Sequence, residues 1–161
     1  MSETLKLTIA GRPATKKTHG QIIMLGKNPY IEIVKGKKVI RGAFPTMIPS
    51  KTFVTYEKDC LKQFRTMPEI EKVPGWVHVI ALYWLPNKAH WPDLIGLKQA
   101  TGDILEKAGL IDNDKFIAHW DGSRIAGIDK NNPRADIIIT SLPDWEEQLF
   151  GEVQLKQGGL F

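Results

Sequence analysis

The sequence predicts an α+β domain: a mixed β-sheet with two main helices. Three observations lead there. Two segments repeat apolar residues at the helical period, one from Phe53 and one from Leu94. An almost wholly apolar run, Val77–Leu85, lies between them. Short alternating segments with glycine-rich turns stand on both sides, and such interspersed hairpins favour α+β over a doubly wound sheet.

Taken in order, Leu5 to Ala10 alternates as LKLTIA, a strand with Leu5, Leu7 and Ile9 on one face. Gly-Arg-Pro ends it, and a polar loop with Arg12, Lys16, Lys17 and His19 follows. Gln21 to Leu25, Tyr30 to Lys35 and Val39 to Arg41 read as short strands, joined by hairpin turns at Gly26–Pro29 and Lys35–Lys38. Ser50 is placed to N-cap a helix reaching about Arg65, with Phe53, Tyr56, Cys60, Leu61 and Phe64 on its apolar face. Met67 to Gly75 is a connector. The VHVIALYWL run then reads as a central strand covered on both faces, with His78 a core or edge histidine.

Pro92-Asp93 starts the second helix. Leu94, Leu97, Thr101, Ile104, Leu105 and Ala108 form its core stripe, and Gly109 stands at the C′ position. Phe116 to Trp120 and Ser123 to Ile128 read as strands around an Asp121-Gly122 hairpin turn, and Ala135 to Ser141 as the last strand.

The 161 residues, 42% hydrophobic, suffice for one globular domain with a real core. The formal net charge of +4 is unevenly spread: residues 1–65 hold 13 of the 22 Lys/Arg but only 4 of the 18 Asp/Glu. A basic half suits a polyanion and an acidic half suits a metal, although a lysine-rich hairpin is also an ordinary solvated surface. The single cysteine, Cys60, excludes an internal disulfide. No apolar run reaches the ~18 residues of a membrane span and no signal-peptide core is evident, so a cytoplasmic location is expected.

The candidate chemistry lies at the ends of the second helix. Asp93 follows the strand and opens the helix; Asp114 closes Asp112-Asn113-Asp114 before the next strand. Strands flanking a helix can be sheet neighbours, which would bring both aspartates to one edge as oxygen ligands for Mg²⁺ or Mn²⁺. The plain alternative is a helix cap and an acidic turn.

The run PDLIGLKQATGDILEKAGLIDNDKFI resembles the signature region of the RusA-type Holliday junction resolvases, in which Asp-x-Asp-Asn opens a helix, a lysine follows and another Asp precedes a strand. IPSKTFVTYEKDCLKQF, VHVIALYWLP and NPRADIII are similar to the family's first helix, feeding strand and closing strand. The resemblance implies a RusA-like nuclease domain over 1–145, with residues 16–45 as a basic hairpin elaboration. It implies Mg²⁺-dependent cleavage of Holliday junctions or related branched DNA in recombination and repair, by a homodimer matched to the two symmetric strands of a four-way junction. Asp93 and Asp114 match metal aspartates of the family. Ile95 replaces its second Asp, Gly96 its Asn and Gln99 its lysine; Lys98 is adjacent, turned by ~100°. Asp112 is the nearest acid to complete the site, with Asp121 and Asp103 behind it. Arg12, Lys16, Lys17, Lys37, Lys38, Arg124, Lys130 and Arg134 would contact phosphates. A relative that binds junctions without cutting them is the alternative.

Residues 146–161 form a separate tail. Its end, Gln157-Gly-Gly-Leu160-Phe161, is similar to the Gln-x-x-Leu-Phe peptide by which bacterial replication proteins dock on the sliding clamp. That suggests a clamp-associated accessory factor as a third reading; the bland one is that Leu160 and Phe161 fold back on the body.

Overall fold

The computed structural model describes residues 3–16, 21–26, 28–68 and 70–149. The fold is α+β with a mixed sheet, as the sequence predicts. Among the described residues there are nine strands, β1 (Thr4–Ala10), β2 (Gln21–Leu25), β3 (Tyr30–Val34), β4 (Lys37–Arg41), β5 (Phe44–Ile48), β6 (Val77–Leu85), β7 (Ile117–His119), β8 (Arg124–Ile128) and β9 (Arg134–Ser141). Two helices, α1 (Lys51–Thr66) and α2 (Leu94–Lys107), and a 3-10 turn at Asp114–Phe116 lie among the described residues, and residues 145–149 are helical as well.

The main sheet runs β1-β9-β6 with antiparallel pairing. Beyond β6 lie β7 and β8, both parallel to it. Burial along β6 alternates strictly, with Val77, Val79, Ala81, Tyr83 and Leu85 buried and the residues between them half-buried. The expected strand with two covered faces therefore has one. Both helices lie on that side, where Phe53, Cys60 and Phe64 of α1 and Leu97, Ile104 and Leu105 of α2 join Ile9, Ile137 and Ile139 in one core. Ile80, Leu82 and Trp84 are apolar but sit on the half-open face. A continuous apolar run alone does not separate these cases.

Asp121-Gly122 does not make the expected hairpin. β7 and β8 instead pair in succession along β6, Ile117 beside Val77 and Arg124 beside Leu82. They are one interrupted edge strand, and a side chain fills the interruption. Ser123 Oγ accepts the Ala81 N–H at 3.0 Å and donates to the Val79 carbonyl at 3.3 Å, replacing the missing ladder partners. At the other edge, the Gln63 amide of α1 bonds both the N–H and the C=O of Ala10 at 2.8 Å, closing the end of β1.

Residues 21–48 also differ from expectation. β2 pairs with β5, Gln21 opposite Ile48, and β3 with β4, Tyr30 opposite Arg41. Gly26–Pro29 is thus a break within one long hairpin whose tip is Lys35-Gly36. The break is tight: a Cβ on Gly26 would lie 2.0 Å from the Gly42 carbonyl oxygen, and Gly42 itself holds φ 70°. The sequence reading missed β5 because Pro45 argues against a strand; in a two-stranded ribbon a proline is tolerated. The body extends past residue 145, since the Trp76 indole donates to Glu146 at 2.8 Å and Trp145 packs edge-on to His119.

Candidate functional site

α2 carries the site as well as part of the core. Asp93 is its N-cap: one carboxylate oxygen accepts the Gly96 N–H at 2.8 Å, and the Asp93 carbonyl accepts from Leu97. A Cβ at Gly96 would stand 2.7 Å from that carboxylate, so the residue must be small for the cap to close. The bland reading of Asp93 is fully realised in the geometry.

Asp114 is set by the far end of the same helix. Glu106 Oε1 accepts from the Asn113 amide at 2.8 Å and Oε2 from the Asp114 backbone N–H at 3.2 Å. Asn113 Oδ1 accepts the Lys115 N–H and starts the 3-10 turn. Asp114 then rests against Gly102, where an added Cβ would be 3.5 Å from its Cβ.

β6 and β7 are parallel neighbours, as the strand–helix–strand reading requires, yet this keeps the aspartates apart. β7 begins beside Val77, the first residue of β6, whereas Asp93 follows the last. Gly96 and Gly102 are six residues apart, ~9 Å along the helix axis. The expected meeting of Asp93 and Asp114 at one sheet edge is corrected: Asp93 caps the start of α2, while Asp114, in the 3-10 turn, rests against Gly102 farther along it. Among the described residues, no three His, Cys, Asp or Glu side chains are grouped to hold a metal ion.

The acid that shares a cavity with Asp114 is Asp103. Both line a cavity of about 470 Å³ with Lys16, Gly96, Gln99 and the arm residues Met47 and Ile48. Asp103 ion-pairs with Lys16, so an ammonium already faces one of the carboxylates. Asp114 also borders a cavity of about 280 Å³ with Ile95, Lys98, Gln99, Ile117 and Trp120. Ile95, which also lines this cavity, is 64% exposed. Lys98 thus reaches the Asp114 neighbourhood from the opposite side to Lys16.

Asp112, expected to complete the site, is engaged elsewhere. Its carboxylate accepts the Gly75 N–H at 2.7 Å and ion-pairs with Lys72, and these contacts lower its pKa. It pins the connector beside the Val73–Ile111 bridge. Asp121 is 89% exposed and lies 3.6 Å from the His119 ring. For a hard divalent cation, Asp103 and Asp114 are of the right chemical type, and two carboxylates with waters and a substrate phosphate suit Mg²⁺. Asp103 stands off the core stripe of α2, where it pairs with Lys16 and lines the cavity with the arm residues Met47 and Ile48.

The candidate phosphate-binding residues divide. Arg12 donates to the Ala89 carbonyl at 2.9 Å and lines a cavity of about 360 Å³ between the starts of α1 and α2. Lys37, Lys38, Arg124 and Lys130 are exposed. Arg134 is corrected: it pairs with Asp129 at 2.9 Å and Asp136 at 3.2 Å and stacks over Trp84. Its guanidinium organises the half-open sheet face. Lys17 and the tail residues Gln157, Leu160 and Phe161 lie outside the described residues. No helix among the described residues is long and apolar enough to cross a membrane.

Compared with protein-family models the chain matches none, and comparison with curated proteins finds no match.

Proposed function

We propose that the chain is a metal-dependent endodeoxyribonuclease acting on four-way junctions or related branched DNA in recombination and repair, working as a homodimer in the cytoplasm. The observation that carries the reading is the cavity on α2 where Asp103 and Asp114 face Lys16 at the root of a basic hairpin. The resemblance of residues 92–117 to RusA-type resolvases supplies the substrate class. Asp103 and Asp114 would hold Mg²⁺ or Mn²⁺, with Asp93 keeping the start of α2 in place. Such an ion polarises a phosphoryl oxygen and stabilises the leaving oxyanion. Lys16 and Lys98, on either side of Asp114, would meet DNA phosphates, and Arg12, Lys37, Lys38, Arg124 and Lys130 would extend that contact.

A second reading has its own support. Ile95 stands where the family has a carboxylate, and Asp103 already has a cationic partner, so the chain would bind junctions without cutting them. Docking on a sliding clamp through Gln157, Leu160 and Phe161 is compatible with either reading.

Incubating the purified chain with a synthetic four-way junction and Mg²⁺ or Mn²⁺ separates them. The nuclease reading expects nicks that disappear in Asp114→Asn and Asp103→Asn while junction affinity stays. Tight binding without nicks establishes the second reading, and neither binding nor nicks overturns both.

A further inference from the structure

The described residues of the hairpin from Gln21 to Ile48 contribute nothing to the core, and most of their apolar side chains face solvent. Nine of them, Ile22, Met24, Leu25, Tyr30, Ile31, Ile33, Ile40, Phe44 and Met47, are between 42% and 71% exposed. An isolated two-stranded ribbon is marginal in water, so such a surface calls for a cover. We propose that the lower half of this arm, β2 with β5, is a dimerisation surface that packs against the same ladder of a second copy of the chain.

The charge pattern selects a protein cover. Residues 21–26 and 42–49 contain no charged side chain at all, while residues 30–41 hold Glu32, Lys35, Lys37, Lys38 and Arg41. A surface for nucleic acid needs cations against phosphates; an obligate homodimer interface is apolar and charge-depleted at its centre. The lower ladder has the second composition and the tip the first.

The register selects the face and the partner. Ile22 stands opposite Met47 and Met24 opposite Pro45, so these four share one side of the ribbon, and Ile22, Met24 and Met47 are all exposed. On the other side Ile23, Thr46 and Ile48 are half-buried. The open side carries no charge or buried polar group to specify a different protein, and a two-fold axis requires only that it suit itself. Both outer edges of the ribbon lack a strand partner among the described residues, so an identical ladder offers matching backbone as well. An antiparallel approach keeps the two cationic tips apart. At ~200 Å² for a fully exposed large side chain, the five exposed apolar residues of the lower ladder, Ile22, Met24, Leu25, Phe44 and Met47, present about 600 Å² per copy, the lower end of what a specific interface buries per partner.

The inference identifies the surface of the homodimer named above, but it uses no DNA contact. Because Met47 and Ile48 also line the cavity with Asp103 and Asp114, the second copy would sit beside the candidate site.

Sedimentation of the full chain without DNA tests it. The native chain is expected at twice its 18.2 kDa mass at micromolar concentration. Ile22→Glu with Met24→Glu, both at exposed positions, should give the single-chain mass, weakening the dimer a hundredfold or more by burying unpaired charge. A cooperative thermal melt of the dissociated chain would show that the fold survives, with a midpoint lowered only by the lost association. Lys37→Glu with Lys38→Glu at the tip should leave the dimer intact. A native chain at the single mass, or a dimer that survives the Ile22 and Met24 changes, overturns the proposal. So does a monomeric native chain whose junction affinity falls in the Ile22 and Met24 variant, which would make the arm a nucleic-acid surface. Absence of junction cleavage does not bear on the result, and a monomer leaves the cavity reading where it was.

Discussion

Glu106 holds Asp114: its carboxylate accepts the Asp114 backbone N–H at 3.2 Å and, through its other oxygen, the Asn113 amide at 2.8 Å. The acidic turn is thereby tied to the last helical turn of α2, and the side chain of Asp114 is left to face the two cavities. We predict that Glu106→Ala lowers stability by about 1–2 kcal/mol, the scale of hydrogen bonds to a charged acceptor. Junction cleavage should fall as in Asp114→Asn, and Glu106→Gln, which keeps an acceptor, should restore part of both. A thermal melt alongside a cleavage assay reads the two effects; full activity in Glu106→Ala would mean that Asp114 needs no positioning.

Asp93 separates capping from chemistry. Asparagine caps a helix about as well as aspartate, whereas alanine costs about 1 kcal/mol. Asp93→Ala should therefore melt earlier and Asp93→Asn should not. Since Asp93 lies outside the Asp103–Asp114 cavity, Asp93→Asn is also expected to keep most of its junction cleavage. Loss of cleavage in a fully stable Asp93→Asn protein would return Asp93 to the reacting centre.

Ser123 is predicted to be worth more than its half-buried position suggests. Ser123→Ala leaves the Ala81 N–H and the Val79 C=O of the central strand unpaired, at a cost of about 1–3 kcal/mol. Denaturant titration measures it, and amide exchange at Ala81 should accelerate. A loss below a few tenths of a kcal/mol would show that water replaces the hydroxyl.

Alkaline pH should unfold the chain from its core. Burial pushes the Cys60 thiol up to about 12 from 9.0, and burial also raises Tyr56 and Tyr83. In each case the folded state holds the proton more tightly than the unfolded chain. The associated stability is complete below pH ~9 and falls as pH rises toward 12, where the unfolded chain ionises first. Equilibrium unfolding at pH 8, 9.5 and 11 should show this decline, and thiol-directed alkylation of Cys60 should require unfolding.

Much of the fold was legible in the sequence because helices announce themselves locally. Ser50 and Asp93 are the observed caps, and Gly109 ends α2 at φ 73°. Strand partners are decided elsewhere in the chain. Nothing near Asp121-Gly122 reveals that β6 offers two successive parallel partners, nor does Gly26–Pro29 reveal that β2 waits for a proline-containing strand eighteen or more residues on. The site follows the same division. That Asp114 matters to α2 was visible as proximity in sequence; that Asp103 joins it and Asp112 does not depended on Lys16 and Lys72, which arrive from other parts of the chain. Glu106 carried a signal that was overlooked, a carboxylate in the last turn of a helix directly before an Asn-Asp pair.

Gln21 and Ile48 face each other across the first rung of the arm, so the two strand ends at its base are only about 5 Å apart. A two-residue turn would bridge that gap. With no described arm residue in the core, replacing residues 21–48 by a short turn is expected to leave the body's sheet and helices closed. The proposed self-association and the folding of the body would thus be written in separable stretches of the chain, so that the first could be re-aimed without touching the second.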